Sequence, residues 1–335
     1  MLFPFGYNLQ LSSKVTTLSI ESTILKFSGH QTFPIRYGWI YKIIQEIVKG
    51  ESISSKLNIE KQMQSMGMGK NMVLSIRHWI RALSLVICVD DKEQIYQLTP
   101  LAEQLFTHKD GRAAYDEYLD KIGTIWLLHW LLQSIDIRNA ELNASRFLFN
   151  YFNGIKVKKE FLANEIKDAL TNHEKELTEE TLNKDIDCLL QMYAHKSLQS
   201  KKINEDSFAS PFTELGLLKQ EDARSYLAEL SRRPSLPVEV FTYALIDYMQ
   251  RKHQESKVNT LSFEALLNDV GSPGRVFRLS AAGLSDKLDQ VETLTEGKIA
   301  WTDTQGLRQV QHCFADINNI KAEQYLKHYY QPEGK

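Results

Sequence analysis

The chain has 335 residues, 43% hydrophobic and 24% charged, with a formal net charge of -2. Those values describe an ordinary soluble globular protein long enough for two or three domains. Three cysteines (Cys88, Cys188, Cys313) lie far apart and are odd in number. That excludes a disulfide framework and the usual zinc spacings, and is natural for a reduced, cytoplasmic protein. The most apolar run, Ile125 to Leu132, is too short to span a bilayer, and Met1 to Phe5 lacks the positive flank of a secretion signal, so no membrane is expected.

Charge is uneven along the chain. Between Lys26 and Val86 nine Lys and Arg stand against three Glu. A basic module on an acidic body can meet phosphates locally without a basic whole.

In chain order, residues 1–26 read as an extension with a strand near Val15 to Ile20. Phe27-Ser28-Gly29-His30-Gln31-Thr32-Phe33-Pro34-Ile35-Arg36-Tyr37-Gly38-Trp39 follows, dense in His, Arg and aromatics. Two readings stand side by side. The aromatics lock the segment onto the next domain, or His30 and Arg36 contact phosphate or act in catalysis. Arg36 to Val48 and Ile59 to Met66 carry helical apolar spacing. Gly67 and Gly69 then turn the chain into a third helix, Lys70 to Leu83.

At about 100° per residue, Val73, Ile80, Ile76, Leu83, Trp79 and Met72 share one arc of this helix, while Lys70, Arg77 and Arg81 fall near one line away from it. Asn71, Ser75 and His78 lie beside that line. An apolar face to seat the helix and a polar ridge to enter a major groove are what a recognition helix needs. Lys70, Asn71, Arg77, His78 and Arg81 are therefore the expected DNA-binding residues; an ordinary helical domain with a solvated basic face is the alternative. Leu85 to Val89 and Gln94 to Leu98 read as a hairpin. Thr99-Pro100 is an N-cap followed by proline at the first helical position. Helix, helix, helix, hairpin, helix is the order of a winged helix-turn-helix domain, expected over 27–110.

Residues 111–230 read as a helical middle domain. It has two helical patterns from Gly111 to Ile135, a linker helix from Arg146 to Gly154, and a pair over Lys158 to Leu170 and Thr178 to His195. His129, inside the most apolar run, is expected as a hydrogen-bonded core histidine. A strand over Phe208 to Leu218 would make this a second winged-helix-like unit, but Glu179, Glu180, Asp185 and Asp187 give its third helix an acidic face that would repel phosphate. Asp185 and Asp187 could hold Mg²⁺, although residues two apart on a helix do not face each other.

Ser231 to Pro237 is a boundary to a C-terminal α+β domain, 231–335. It has helices over Val238 to Arg251, Leu261 to Asn268 and Ala281 to Val291, a strand Ile299 to Trp301, and Asp303 to Val310 as helix or loop. In Gly271-Ser272-Pro273-Gly274-Arg275, glycines and a guanidinium could approach an anion, which makes Arg275 a third catalytic candidate beside His30 and Arg36; a plain turn is the alternative. The loop lacks the spacing of a nucleotide-binding P-loop. Asp289 with Glu296-Gly297-Lys298 only faintly imitates a restriction-nuclease triplet, and no other nuclease or zinc motif is present. The fold class is thus mainly α with small β hairpins.

FSGHQTFPIRYGW, GMGKNMVLSIRHWIRAL, TIWLLHWLL, PSLPVEVFTYALIDY, TLSFEALLNDVGSPGRVFRL and WTDTQGLRQV together resemble a bacterial family of uncharacterised-domain proteins found beside DNA phosphorothioate-modification genes. The resemblance spans about Phe27 to Tyr330. In the single-strand (Ssp) systems the similar member is a DNA-nicking component. The resemblance implies double-stranded DNA as substrate, a role in anti-phage defence, and a cysteine desulfurase, an ATPase and a PAPS-reductase-like protein as partners. Mg²⁺ or Mn²⁺ would be the ion for such cutting, with no organic cofactor expected, and a homodimer stays open. Gln31 stands where members usually carry an acid.

Overall fold

Apolar spacing sets where the helices form, and short strands tie them into successive units. The computed structural model describes residues 23–51, 53–54, 59–92, 94–134, 141–195, 210–304 and 306–331. The expected strand near Val15 to Ile20 lies outside them.

The first unit contains α1 (Trp39–Val48), α2 (Ile59–Met66) and α3 (Lys70–Ala82), then a two-stranded hairpin and α4 (Pro100–Phe106). The hairpin strands are β2 (Val86–Asp90) and β3 (Ile95–Leu98). They follow β1 (Ile24–Leu25) in the chain, pair antiparallel, and shift register between Cys88 and Asp90. The Thr99 side chain accepts from the Ala102 N–H at 3.2 Å, so the predicted cap with proline at the first helical position is formed.

The middle region opens on α5 (Ile122–Gln133); the stretch before it forms turns rather than the second helix expected there. β4 (Glu141–Leu142) pairs in parallel with β1, drawing the start of the described chain onto this region. Next come α6 (Ala144–Asn150), β5 (Lys156–Lys158), α7 (Lys159–Ala169), α8 (Glu179–Tyr193), β6 (Ala194–His195), β7 (Leu218–Gln220) and β8 (Ser225–Leu227). The sheet order is β5-β8-β7-β6. Pro211–Leu215, inside the expected strand, is instead a 3-10 turn led by Pro211.

The C-terminal region repeats this connectivity. α9 (Val238–Ser256) leads into β9 (Thr260–Ser262), α10 (Phe263–Asn268), α11 (Pro273–Val276), α12 (Ala281–Leu294), β10 (Ile299–Thr304) and β11 (Leu307–His312), and α13 (Glu323–Tyr330) closes it. The sheet order is β10-β11-β9. In both regions a strand precedes the helices and pairs with the second strand of the later hairpin. Residues 307–312, expected as helix or loop, are a strand, and Leu261 belongs to β9 rather than to a helix.

The core centres on α5, whose apolar residues surround the whole helix, as suits a fully buried one. Trp126, Leu127, Leu128, His129 and Trp130 have no exposed surface. Each such tryptophan removes on the order of 150–250 Å² from water. His129 is the expected core histidine: Nε2–H donates to the Val276 carbonyl at 2.9 Å, and Nδ1 accepts from the Tyr193 hydroxyl at 2.8 Å. Burial pushes its pKa down to about 3, so it is neutral there. The α13 tyrosines cover the start of α5. The Tyr329 hydroxyl accepts from the Gly123 N–H at 3.0 Å, and the Tyr330 hydroxyl shares a 2.8 Å hydrogen bond with Thr124. A Cβ on Gly123 would lie 2.5 Å from the Tyr329 ring, so a larger residue there would have to push that ring aside. Among the described residues no helix is long and apolar enough to cross a membrane.

Candidate nucleic-acid interface

α3 is seated as its spacing predicts, with Val73, Ile76, Trp79 and Ile80 buried. The Phe27 to Trp39 segment lies against it: the Phe33 carbonyl accepts from Trp79 Nε1 at 2.9 Å and from Ser75 Oγ at 3.2 Å. The locking role read for this segment is therefore present. Lys70, Asn71 and Arg81 are exposed.

Arg77 is not part of an exposed ridge, which corrects that expectation. It is 2% exposed, with Nε donating to Gln62 Oε1 at 2.8 Å and Nη1 to the Ser54 carbonyl at 2.9 Å. On the wheel it lies only about 40° from Val73, and α2, which supplies Gln62, covers that flank. Burial, then the nearby Arg81 charge, lowers its pKa. His78 is mostly covered too, and its ring packs edge-on to Trp79 at 5.0 Å. Burial first, then His30, Arg81 and Lys26, push its pKa down to about 3, so it offers no positive charge at neutral pH. Gly29, at φ +111, passes so near that a Cβ would sit 2.6 Å from His78 Nδ1.

His30 is 4% exposed and both ring nitrogens are engaged. The Thr32 N–H donates to Nδ1 at 3.0 Å, which leaves Nε2–H to donate to Asp185 Oδ1 at 2.9 Å. Asp185 Oδ2 also accepts the Ala144 N–H at 2.7 Å, so one carboxylate joins the first unit, α8 and the start of α6. So placed, His30 presents no nitrogen to a phosphate, which corrects its reading as a contact or base. Sequence reasoning did not select Asp185 for this bond. The available signal was an acid on the same stripe as Leu182, Ile186 and Leu189, where a charge needs a partner.

The other candidates lie apart. Arg36 packs over the Phe33 and Trp39 rings, 5.5 and 5.7 Å from their centroids. Arg275 Nε donates to the Asn150 carbonyl at 2.9 Å, and burial lowers its pKa. The Gly271 to Gly274 stretch is buried: Ser272 caps Arg275, and a Cβ on Gly274 would meet the Leu266 carbonyl at 2.5 Å. It is a packed helix start, not an open anion loop. Asp303 pairs with Arg308 across the β10–β11 hairpin at 2.9 Å. Asp187 is held by Lys159 at 2.7 Å, so it and Asp185 serve different partners. Among the described residues no three His, Cys, Asp or Glu side chains are grouped to hold a metal ion. The described residues thus do not fit a protein-built metal cage.

Beyond α3, Arg81 lines a polar cleft of about 520 Å³ bounded by the ends of α3 and α5, by Arg146 of α6 and by one face of α9. Sequence reasoning did not select this cleft, which is assembled from four separate helices.

The chain is mainly helical with small sheets, and its half-buried α3 carries no acid. The chain belongs to a family described as "Protein of unknown function (DUF4007)", which matches residues 27–330. Among solved structures it is similar to an SspB crystal structure, at 25% identity over 93% of this chain and 90% of that one, with a TM-score of 0.77. It is also similar to a magnesium ion-bound SspB crystal structure, at 26% identity over the same shares, with a TM-score of 0.76. No curated protein matches the chain. The likeness to the Ssp systems expected from the sequence motifs is thus matched in three dimensions.

Proposed function

We propose that this protein is the DNA-engaging component of a phosphorothioation system, which holds duplex DNA on its first unit and nicks one strand. The observation that carries the DNA reading is α3: it contains no acid, is seated by its apolar face, and presents Lys70, Asn71 and Arg81 outward. Two cations and an amide on one helical strip suit phosphate and base-edge contacts. In this reading residues 27–110 are a winged helix, with the β2–β3 hairpin as its wing, and 111–230 and 231–335 form the body that meets partner proteins. Nicking and partnership with a cysteine desulfurase, an ATPase and a PAPS-reductase-like protein are what the resemblance of the sequence motifs implies, and the cytoplasmic setting is read from the odd, widely spaced cysteines. Mg²⁺ or Mn²⁺ would enter with the DNA phosphates and water, since Mg²⁺ commonly takes only one or two carboxylates from protein.

A second reading, a non-catalytic adaptor that brings sulfur-transfer or ATPase partners to DNA, is favoured by the placement of His30 and Arg275, whose bonds are spent inside the protein. Incubating pure protein with supercoiled plasmid and Mg²⁺ or Mn²⁺ separates the two. Open circles that disappear with Lys70→Ala/Arg81→Ala support the nickase; a shifted but still supercoiled plasmid supports the adaptor. A plasmid neither bound nor cut at low salt would defeat both.

A further inference from the structure

The lining of the cleft beside α3 carries more cations than acids. Arg81, Arg146 and Arg251 line it together with Glu141 and Asp247. The acids are already occupied. Asp247 accepts Trp130 Nε1–H at 2.9 Å and pairs with Arg251 at 3.1 Å, and Glu141 lies 3.8 Å from Lys26 Nζ. Arg146 donates Nε to the Leu132 carbonyl at 3.0 Å and Nη1 to the Glu141 carbonyl at 2.9 Å, both neutral acceptors. Arg81 Nε donates to the Arg77 carbonyl at 3.0 Å. Among the described residues neither Arg81 nor Arg146 has a carboxylate at ion-pair distance. Burial disfavours the Arg146 charge and Glu141 only partly offsets this, so a ligand phosphate would supply a closer anion.

Shape and lining narrow the ligand. About 520 Å³ exceeds what a bare phosphate needs and lies in the ordinary range for small-molecule sites. The walls are mostly polar: Ser84, Ser134, Gln250 and Gln254 join the arginines. Arg251 is backed by aromatic rings, 5.3 Å from the Trp130 centroid and 5.7 Å from that of Tyr248, so its guanidinium is held as a flat surface. Flat guanidinium planes are stacking partners for nucleobases. Asp247, Gln250, Arg251 and Gln254 follow the three- and four-residue spacing of one helix face, so α9 supplies a continuous wall.

We propose that this cleft is a nucleotide-binding subsite, in which Arg81 and Arg146 take the phosphate and Arg251 supports the nucleoside. It rests on the DNA reading only for the source of the nucleotide. Arg81 belongs both to the outward strip of α3 and to the cleft, so one unit of a bound strand can pass from the one to the other. A free nucleotide is the other source of the same chemistry.

The test uses the full chain with three probes: dTMP, inorganic phosphate, and a labelled 20-base-pair duplex with a single-stranded tail. Ser84→Asp adds a carboxylate to the lining; Ser84 has φ +53, a conformation Asp tolerates. Arg251→Gln removes the flat cation, and Lys70→Ala/Asn71→Ala disturbs only the α3 strip. Circular dichroism and thermal melting check that each variant folds, and Ser84→Asp, which breaks no side-chain bond described above, carries the test if Arg251→Gln unfolds. If a free nucleotide is the ligand, dTMP binds, phosphate competes weakly, and both cleft variants lower dTMP affinity tenfold or more while the α3 variant does not. If a strand is the source, the cleft variants weaken the tailed duplex tenfold or more and dTMP alone does not bind. Cleft variants that leave every probe unchanged overturn the subsite, even where the α3 variant abolishes duplex binding and the DNA reading stands. Cleft-sensitive dTMP binding without any duplex binding would keep the subsite and remove the DNA reading.

Discussion

α3 and α8 each precede an antiparallel strand pair in the chain, and they differ in what they show to solvent. α3 has Lys70, Arg77 and Arg81 and no acid; α8 has Glu179, Glu180, Asp185 and Asp187 against Lys184. α3 turns Arg77 inward and keeps Lys70 and Arg81 outside, whereas α8 turns Asp185 inward to His30 and keeps Glu179 and Glu180 outside. The two helices thus leave opposite charges in water, cations on α3 and acids on α8. Role follows from which charges are left in water, not from topology.

The largest expected effect comes from breaking the clasp. Asp185→Ala leaves the His30 Nε2–H and the Ala144 N–H buried without their acceptor and should cost about 3–5 kcal/mol, read by urea unfolding. A cost under about 1 kcal/mol would show that the clasp does not hold the first unit to α8. Next is acid sensitivity. The folded pKa of His78 is about 3, below its ordinary value of 6.5. The unfolded chain therefore binds the extra proton, so this stability is full above pH 6.5 and is lost as pH falls toward 3. His78 should contribute a slope of up to about 1.4 kcal/mol per pH unit in that window. His78→Gln should flatten the unfolding-versus-pH curve by that share, leaving the similar contribution of His129; an unchanged curve would mean that His78 is solvated.

Lys70→Ala/Arg81→Ala should weaken duplex DNA binding by about tenfold or more and reduce the salt slope by about two. Anisotropy titrations at several salt concentrations measure both, and an unaltered slope would place the DNA elsewhere. The smallest effect is expected from Glu179→Lys/Glu180→Lys. Stability should fall only slightly, since the pairs of Glu179 with Lys167 and of Glu180 with Lys184 are exposed, and DNA affinity should change little if charge on α8 points away from the duplex. A gain as large as the loss from the α3 variant would make the two helices equivalent surfaces.

Much of this was legible along the chain. α2 runs over the predicted Ile59 to Met66, the Thr99 cap is formed, and His129 lies in the core with both nitrogens bonded. These depend on spacing or on one local side chain. Arg77 was misplaced because a helical wheel gives phase but not which neighbour covers each flank. The Gly271 to Gly274 loop looked open because glycine serves close packing as readily as ligand approach; here it lets α11 press on Leu266 and Leu267. The His30–Asp185 bond joins positions 155 residues apart, and the arginine cleft draws on four helices, so neither leaves a local pattern.

The tyrosine seal over Gly123 and Thr124 has a consequence for biosynthesis. The greasiest helix of the protein gets its last cover from hydroxyls 206 residues further along the polypeptide. At about 5–20 residues per second a ribosome needs roughly 10–40 s to make that stretch. Through that interval the nascent chain must shelter one end of α5 by other means, which makes it a natural client for a chaperone that grips apolar segments during translation.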